Sequence, residues 1–517
     1  MLALFTLAEW PWLIFGFIGL IPWLAAIDRT KTIGGAFLAG LLMSLSYVLT
    51  AGYWVPDVIA SFSGASWGTS LLVTILISPL IQPQFIALAL ARRFARGGSV
   101  RFIPTAPLAG AFAYIGVEWA IPKFFSDTLG HMLFGSVLLR QAADVAGILG
   151  LTFLLLLANE CTLVLIRNIF FQKGVKTAQK VVAPVVCLVL LLIVPFGYGV
   201  VRLHQFTNTD ADTKPVTAGL VQAGFSHFTY IAADFGEYMT VRTILDTHVA
   251  LSRSALKGRD LDLLVWPETV YPLPFKTPPC EVSAAFDRRI EELVTRTGVP
   301  LVFGAYDIED EIWFNAAFFL EPLSDGGVSI NTYRKARPFP FIEQAPAILN
   351  HEIIRRHMPW LGTFMPGPDP SAYTMRLADG RSLRVAPMIC YDALASPHAI
   401  AAVRKGGEIL LTLSNDSWFE YGNTPRHILT LSAFRSIETR RPQLRATVTG
   451  ISAVITPTGE IIDMLGLQEH GVLVGSVIPG NSTTLMLRLG DWFGPAALAA
   501  AALLLTLSMA ARRKKRK

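Results

Sequence analysis

Three potentially reactive side chains, a glutamate, a lysine and a cysteine, lie at the ends of short sequence segments or within them. Glu268 follows "LDLLVWP", Lys335 lies in "NTYRKARPFPFIE", and Cys390 follows "LRVAPMI". A cysteine attacks as the thiolate, so it needs a base to remove its proton and a cation to stabilise the anion. A carboxylate and an ammonium group meet both needs, and the ammonium can also stabilise the oxyanion of a tetrahedral intermediate. The three residues are therefore candidates for acyl chemistry on a thiol.

Each of the three residues also has a plainer explanation. Glu268 could cap a helix that follows it, Lys335 could be one solvated charge in a basic run, and Cys390 could fill the core, as free cysteines usually do. Their joint occurrence, in this order and in these contexts, favours catalysis. Burial would raise the pKa of Glu268 towards neutrality, which suits a group that takes up and releases protons.

The elements that would position these residues have the patterns of an α/β domain over residues 204–485. Short apolar runs predict strands at 217–222, 261–268, 300–306, 316–322, 383–392, 408–416, 444–450 and 452–465. Amphipathic segments predict helices at 283–298, with Gly298 as C-cap, and at 424–441, with Thr424 as N-cap. The order of the strands in their sheet does not follow from these patterns.

The remainder of the chain is predicted to cross a membrane. Of its 517 residues 52% are hydrophobic and only 16% are charged, with a mean hydropathy of +0.48, whereas soluble proteins carry about 25% charged residues. A bilayer core requires about 20 helical residues. Seven runs approach or exceed that length, at 11–27, 33–55, 69–91, 105–122, 143–166, 181–202 and 487–510. We therefore predict about six spans in residues 1–203, and one span with a basic tail in residues 486–517.

The distribution of Lys and Arg predicts the orientation of the spans. Basic residues cluster at 29–31, 92–101, 167–180 and 512–517, whereas the loops at 56–68 and 123–142 contain few. The positive-inside rule then places the basic loops in the cytoplasm and the α/β domain outside it. The net charge of +6 is explained by these loops, and we predict no nucleic-acid partner.

Several other polar residues leave alternatives open. Cys280 and Cys390 could pair in an oxidising compartment. His351 and His357 have no Asp or Cys partner at metal-ligand spacing, so we predict no metal site. Glu118 lies at the end of a predicted span, where a carboxylate is costly unless it faces protein or water. It has either a structural bond or a role near a lipid entrance.

The motifs on the α/β domain resemble those of the carbon–nitrogen hydrolase, or nitrilase, superfamily. The sequences "WPET", "YRKARPFPFIE" and "ICYD" occur in the order of its Glu–Lys–Cys triad. "SNDSWF" (414–419), "RRPQLRATVTGISAVITPTG" (440–459) and the preceding spans are similar to the apolipoprotein N-acyltransferase family. This resemblance covers nearly the whole chain, which begins near the family's second span, so we expect the first to be missing. The resemblance implies a polytopic α-helical membrane domain plus a nitrilase-like αββα domain.

The resemblance also implies a two-step acyl transfer without a cofactor. Glu268 is then the general base, Lys335 stabilises the oxyanion, and Cys390 takes an acyl chain from a phospholipid, phosphatidylethanolamine, as a thioester. The α-amino group of diacylglyceryl-cysteine in a lipoprotein then attacks the thioester. The implied enzyme is a monomer in the bacterial inner membrane, with its catalytic domain on the periplasmic side.

Further site residues follow from the same resemblance. Glu343 would be a supporting carboxylate beside the triad, and Tyr391 would supply an N–H group to the oxyanion hole. Trp418 and Phe419 would line the pocket. The chain departs from the family at "RPFPFIE" (337–343), where "VPFGE" is usual.

Three hypotheses about function therefore stand at this point. The first is the acyltransferase, and a related form would act on a different amine. The second is a membrane-tethered amidase that releases ammonia and passes the acyl group to water. The third is a non-catalytic membrane assembly factor or transporter-like protein. The number of spans favours the first hypothesis, because a hydrolase of small amides needs one anchor at most.

Overall fold

The computed structural model describes residues 5–96, 99–100, 103–170, 177–207, 213–225, 236–419 and 422–516. The chain divides into two units. The helical unit comprises Met1–Asn208 together with Arg488–Lys517, and the α/β unit comprises Thr209–Leu487.

The N-terminal part of the helical unit consists of α-helices of different lengths. They are Ile21–Arg29 (α1), Ile33–Ala51 (α2), Val55–Ser63 (α3), Trp67–Ile81 (α4), Gln84–Phe94 (α5), Thr105–Ala120 (α6), Ala143–Phe170 (α7) and Thr177–Thr207 (α8). Between α5 and α6, the two-residue strands Ser99–Val100 (β1) and Ile103–Pro104 (β2) pair with each other.

The α/β unit contains two sheets and the helices that cover them. Its strands are Val216–Gln222 (β3), Leu263–Val265 (β4), Tyr271–Pro274 (β5), Leu301–Glu309 (β6), Ile312–Pro322 (β7), Val328–Arg334 (β8), Tyr373–Arg376 (β9), Ser382–Ile389 (β10), Ile409–Ser414 (β11), Gln443–Thr447 (β12), Ser452–Ile455 (β13), Ile461–Leu465 (β14) and Gly471–Val477 (β15). Its helices are Glu237–Leu256 (α9), Glu281–Thr297 (α10), Glu352–His357 (α11), Ser396–Arg404 (α12) and Thr424–Thr439 (α13). The chain ends with Leu485–Leu489 (α14) and Phe493–Arg516 (α15).

The two sheets pack face to face. One has the order β15-β3-β4-β6-β7-β8, with β5 beside β6, and the other has the order β14-β13-β12-β11-β10-β9. Leu220 and Val265 of the first sheet and Ile389 and Leu411 of the second belong to one buried cluster between them. The central strands pair in parallel, and such strands are buried on both faces, which explains their continuous apolar runs.

Helices cover the outer faces of both sheets. On the first sheet, Leu245 of α9 and Ile290 of α10 pack in one cluster with Phe303 of β6. On the second sheet, α13 lies over β12. The side chain of Gln443 on β12 donates a hydrogen bond to Ser432 Oγ on α13 at 2.6 Å. The four layers form the αββα sandwich, so the predicted fold class is confirmed.

The strands predicted to carry Glu268 and Cys390 are shorter than expected. The prediction of 261–268 becomes β4, which ends at Val265, and 383–392 becomes β10, which ends at Ile389. Cys390 has φ +46°, a left-handed conformation that cannot continue a strand. Both reactive side chains therefore lie on the turns that follow the strands.

Other element boundaries differ at their turns and caps. The predicted strand 452–465 is a hairpin of β13 and β14, since Gly459 at φ +76° reverses the chain. Helix α13 begins at Thr424, so the N-cap position belongs to Asn423 and not to Thr424. Helix α10 is capped by Gly298 at φ +69°, as predicted.

Most of the predicted spans correspond to helices that can cross a membrane. Within the described residues, five helical stretches are long and apolar enough: Trp12–Arg29, Ile33–Ala51, Leu139–Phe170, Val181–Phe206 and Phe493–Arg512. The predicted span 69–91 is the pair α4 and α5, bent by 47°, which makes a sixth if it crosses as one. The predicted span 105–122 is α6, whose 16 residues are fewer than the roughly 20 that a bilayer core requires.

Polar side chains provide hydrogen-bond partners for the backbone and side-chain groups at the break between α4 and α5. Ser44 Oγ donates to the carbonyl oxygen of Gln82 at 2.6 Å, and Gln82 Nε2 donates to Asp127 Oδ1 at 3.3 Å. Gln84 Nε2 donates to Glu118 Oε1 at 3.2 Å. A bilayer offers no water to such groups, so a break at membrane depth requires partners within the protein.

Glu118 is bound structurally by its neighbours. Lys123 Nζ lies 2.9 Å from Glu118 Oε1 and 3.7 Å from Asp127 Oδ1. Thr128 Oγ1 donates to Glu118 Oε2 at 2.9 Å, and Tyr47 donates to Asp127 Oδ2 at the same distance. Of the two alternatives for Glu118, these contacts support the structural one.

We expect Lys123→Met to destabilise the protein by about 3 kcal/mol, because it leaves two buried carboxylates without their cation. The thermal unfolding midpoint in detergent micelles measures the effect. Adding Glu118→Gln to Lys123→Met removes one of the unpaired charges and should restore part of the loss. Lys31→Met, at an exposed lysine, is the control and should leave the midpoint unchanged. Equal midpoints for Lys123→Met and the wild type would contradict a stabilising role for the ion pairs.

Candidate active site

Glu268 lies on the turn after β4, directly against β6. The Gly304 N–H donates to the carbonyl oxygen of Pro267 at 3.0 Å. A Cβ atom at position 304 would lie 2.5 Å from the Cα of Glu268, so only glycine permits this close approach of the two backbones. The following residue, Thr269, has φ +49°, and this local conformation directs the Glu268 side chain into the protein.

The carboxylate of Glu268 is buried and accepts three hydrogen bonds. Its Oε1 accepts from Lys335 Nζ at 2.9 Å and from Asn315 Nδ2 at 2.7 Å, and its Oε2 accepts from the Asn415 N–H at 2.7 Å. Burial raises the pKa of Glu268, the charge of Lys335 lowers it, and the charge of Glu343 raises it again, so that the pKa lies above its ordinary value of 4.5. A carboxylate of this kind takes up a proton more readily than an exposed one.

Lys335 follows β8 and bridges the two carboxylates. Its N–H donates to the carbonyl oxygen of Asn315 at 2.8 Å, and its Nζ lies 2.7 Å from Glu343 Oε2. Burial lowers the pKa of Lys335, but the charges of Glu268 and Glu343 outweigh burial and hold the pKa well above its ordinary value. Lys335 therefore stays an ammonium ion, and one positive charge faces two negative ones.

Glu343 is held by the loop between β8 and α11. Its Oε2 also accepts from the Phe339 N–H at 2.5 Å, and its Oε1 accepts from Asn315 Nδ2 at 2.7 Å. A Cβ atom at Gly362 would lie 2.2 Å from the carbonyl carbon of Glu343. This close passage of two backbone segments fixes the second carboxylate against the first.

Cys390 occupies a strained turn beside these charges. It is half-buried and begins the 3₁₀ helix Cys390–Leu394, with φ +46°, a conformation that costs a non-glycine residue free energy and is concentrated at functional sites. Burial raises the pKa of the Cys390 thiol, the charge of Glu268 raises it further, and the charge of Lys335 opposes them. The net pKa lies well above the ordinary range, so the resting thiol keeps its proton. The structure therefore brings the three predicted triad residues within electrostatic reach of one another.

Asp392 links the turn at Cys390 to the segment that carries Lys335. Its Oδ2 accepts from the Tyr333 hydroxyl at 2.8 Å and from the Ile389 N–H at 3.1 Å, and its Oδ1 accepts from the Arg337 N–H at 2.9 Å. The side chain is fully buried. A single carboxylate thus fixes the separation of the two turns.

The predicted pocket residues Tyr391 and Phe419 meet at a third aromatic ring. The ring of Phe339 lies 5.1 Å from that of Tyr391 and 5.9 Å from that of Phe419, in edge-to-face contact with both. The three rings form an apolar surface beside Cys390, which we call the aromatic wall. The side chain of Trp418 lies outside the described part of the structure.

Asn315 is the site residue that our sequence analysis missed. Its Nδ2 donates to both Glu268 and Glu343, and its side chain is 3% exposed. It lies in "IWFNAAFF" on β7, where a lone amide interrupts an apolar strand. A buried polar residue is costly unless it is bonded, and this interruption is the signal that could have identified Asn315.

Within the described residues, no group of three or more His, Cys, Asp and Glu side chains is arranged to hold a metal ion. Cys280 and Cys390 are both free thiols, and Cys280 is exposed. The alternative that they form a disulfide is therefore not what the structure shows.

Two family models match the chain, one in each of its two units. The family model of carbon-nitrogen hydrolase matches residues 217–483, and the model of the apolipoprotein N-acyltransferase N-terminal domain matches residues 1–161. The chain belongs to the carbon-nitrogen hydrolase family.

Curated relatives match over nearly the full length. An apolipoprotein N-acyltransferase from Geobacter metallireducens is 29% identical over 503 residues, covering 96% of this chain and 91% of that protein. One from Bdellovibrio bacteriovorus is 26% identical over 508 residues, covering 93% and 87%. Among solved structures, an amidase from Nesterenkonia sp. is similar at 19% identity with a TM-score of 0.37, covering 53% of this chain and 94% of the amidase. The family resemblance is confirmed, and the protein is an enzyme of the N-acyltransferase type.

We expect Asn315→Leu to shift the pH dependence of Cys390 acylation to higher pH. The Asn315 side-chain N–H lowers the pKa of Glu268, so its loss raises that pKa further, and a general base at this position would then be protonated at pH values where the wild type still works. The rate should fall more at pH 6 than at pH 8, by about tenfold at the lower pH. Single-turnover acylation by an activated fatty acyl ester measures the rate.

The control for this experiment is Asn331→Leu, at an exposed asparagine on β8, which should keep the wild-type profile. An unchanged profile in Asn315→Leu would show that the amide does not tune the base.

Proposed function

We propose that the protein transfers a fatty acyl chain from a phospholipid to the N-terminal α-amino group of diacylglyceryl-cysteine in lipoproteins. The donor is phosphatidylethanolamine and the covalent intermediate is a thioester on Cys390. The observation that carries the proposal is the buried ammonium of Lys335, which two carboxylates share beside a strained cysteine. The relatives named apolipoprotein N-acyltransferase support the choice of acceptor.

In the first half-reaction, Cys390 Sγ attacks the ester carbonyl carbon of the donor. Because the resting thiol is protonated, its proton passes to the Glu268 carboxylate as the carbon–sulfur bond forms. The ester carbon–oxygen bond then breaks, and Glu268 returns the proton to the departing glycerol oxygen. The products are the thioester on Cys390 and a lysophospholipid.

In the second half-reaction, the neutral α-amino group of the acceptor attacks the thioester. A carbon–nitrogen bond forms, the carbon–sulfur bond breaks, and Glu268 transfers a proton from the amine to the departing thiolate. The cysteine is regenerated as a thiol, and the product is an amide. Because each half-reaction returns its proton, Glu268 ends each cycle ionised.

Both tetrahedral intermediates carry a negative oxygen that requires donors. The Lys335 ammonium and the Tyr391 backbone N–H supply them, and preorganised donors of this kind contribute a large part of catalysis. Glu343 keeps Lys335 charged and in place. Phe419 and Trp418 line the path of the acyl chain, which excludes water that would hydrolyse the thioester.

Both substrates are anchored in lipid, so the nucleophile must lie at the surface of the bilayer. The basic loops of the helical unit support a location in the bacterial inner membrane, with the α/β unit on the periplasmic side. An enzyme that meets its substrates there needs no soluble carrier for either one.

We expect purified wild-type protein, incubated with phosphatidylethanolamine, to gain the mass of one fatty acyl chain on the peptide that contains Cys390. Mass spectrometry of the intact protein and of its peptides detects the adduct. Cys390→Ser should gain no acyl adduct that hydroxylamine removes. Glu268→Gln should gain the adduct on Cys390 at least about 100-fold more slowly than the wild type. Cys280→Ser is the matched control and should be acylated normally.

The fate of the adduct distinguishes the alternatives. Discharge by a diacylated lipopeptide with formation of an amide supports the proposal. Discharge by water at the same rate with or without the lipopeptide would show a hydrolase instead. Full lipoprotein maturation by Cys390→Ala in cells would show that the thiol is not needed.

A further inference from the structure

Within the described residues, the guanidinium of Arg337 has no acidic partner. Arg337 comes two residues after Lys335, and its backbone N–H is fixed on Asp392 Oδ1 at 2.9 Å. Its side chain is exposed, and it makes no hydrogen bond or ion pair with any residue that the structure describes. The backbone is therefore anchored, whereas the charged group is available.

A nearby arginine shows the more usual arrangement. Arg334 Nε lies 2.6 Å from Asp307 Oδ2, and its Nη1 lies 2.5 Å from Glu309 Oε2. Arg334 is thus neutralised by the strand next to it. Arg337 lies three residues later, beyond the end of β8 at Arg334, so it is not beside the carboxylates of that strand.

The position of Arg337 relative to the nucleophile follows from its neighbours. The Arg337 N–H is bound to Asp392 Oδ1, two residues after Cys390, and the charge of Arg337 opposes the rise that burial causes in the pKa of Tyr391. Phe339, two residues after Arg337, packs on the same Tyr391 ring. Arg337 therefore belongs to the segment that packs on the aromatic wall.

The charges of the catalytic cluster create a need for such a cation. Glu268 and Glu343 carry two negative charges against one positive charge on Lys335, so the cluster repels an anion. A phospholipid donor carries a phosphodiester that only the glycerol backbone separates from its ester carbonyls. When a carbonyl reaches Cys390, the phosphate lies near this negative cluster, and a separate cation there would offset the repulsion.

We propose that Arg337 binds the phosphodiester of the acyl donor while its carbonyl lies at Cys390. A guanidinium presents a planar fork of N–H donors that matches two phosphate oxygens. The inference rests on the proposed function, and it assigns Arg337 to the first half-reaction alone, because the acceptor carries no phosphate.

The test compares two acyl donors on the full-length protein in detergent micelles. One donor is phosphatidylethanolamine, and the other is 4-nitrophenyl palmitate, which has no phosphate. We expect Arg337→Gln to lower kcat/KM for acylation of Cys390 by the phospholipid about tenfold, mainly through KM, and to leave acylation by the nitrophenyl ester unchanged. Arg337→Lys, which keeps the charge but not the fork, should recover part of the loss.

The control is Arg296→Gln, at an exposed arginine on α10 paired with Glu292, which should behave as the wild type with both donors. An equal loss with both donors would overturn the inference, because it would show a general effect on the site. No loss with either donor would overturn it as well. A loss confined to discharge by the lipopeptide would assign Arg337 to the acceptor.

Failure of the proposed function gives a different result. In that case the wild type itself would be acylated by the nitrophenyl ester but not by the phospholipid. That outcome would refute a phospholipid donor, and with it the role of Arg337, whereas a wild-type adduct that Arg337→Gln acquires equally fast would refute the role of Arg337 alone.

Discussion

One buried ammonium shared between two carboxylates is the interaction on which the active site depends. Burying charges is costly unless each finds a partner, and Lys335 reaches both Glu268 at 2.9 Å and Glu343 at 2.7 Å. The remaining negative charge is distributed over N–H groups of Asn315, Asn415 and Phe339. Three separate segments, at Asn315, at 335–339 and at Asn415, thus supply donors to the two carboxylates.

The sandwich is what brings those segments together. Glu268 and Cys390 follow strands in different sheets, and Lys335 follows a third strand, so the three side chains meet only because the two sheets pack face to face. Close backbone contacts at Gly304 and Gly362 hold the segments of Glu268 and Glu343 against their neighbours. The positive φ of Thr269 and of Cys390 interrupts the extended backbone, so that Glu268 and Cys390 lie on the turns after their strands.

The charge balance also determines when the nucleophile forms. With one surplus negative charge beside it, Cys390 stays a neutral thiol, and in the reaction we propose Glu268 removes its proton only as the carbonyl carbon is attacked. A neutral thiol is a poor target for oxidants and unrelated electrophiles. A site of this kind remains unreactive until an ester carbonyl reaches the Lys335 ammonium, which compensates the new charge on the carbonyl oxygen.

The amino-acid sequence predicted much of this arrangement and missed the rest for identifiable reasons. The apolar pattern located the strands β4 and β10, which lead to Glu268 and Cys390, because parallel buried strands have a strong apolar signal, but it extended both strands over the turns that carry these residues. It did not locate Asn315, since a single polar residue within a strand does not reveal its partners. The break between α4 and α5 was also missed: its polar groups are satisfied by Ser44 and by residues beyond α6, and hydropathy does not detect such long-range bonds.

The pH dependence of Cys390 alkylation tests the central claim most directly. The measurement uses a small neutral reagent, iodoacetamide, on the resting enzyme in a Cys280→Ser background, with modification followed on the Cys390 peptide by mass spectrometry. The charge balance predicts that alkylation is slow at pH 7 and continues to rise above the ordinary thiol pKa of about 8.5. Lys335→Met should slow it further, because the opposing cation is gone. A plateau of fast alkylation below pH 7 would show a preformed thiolate and would contradict the account.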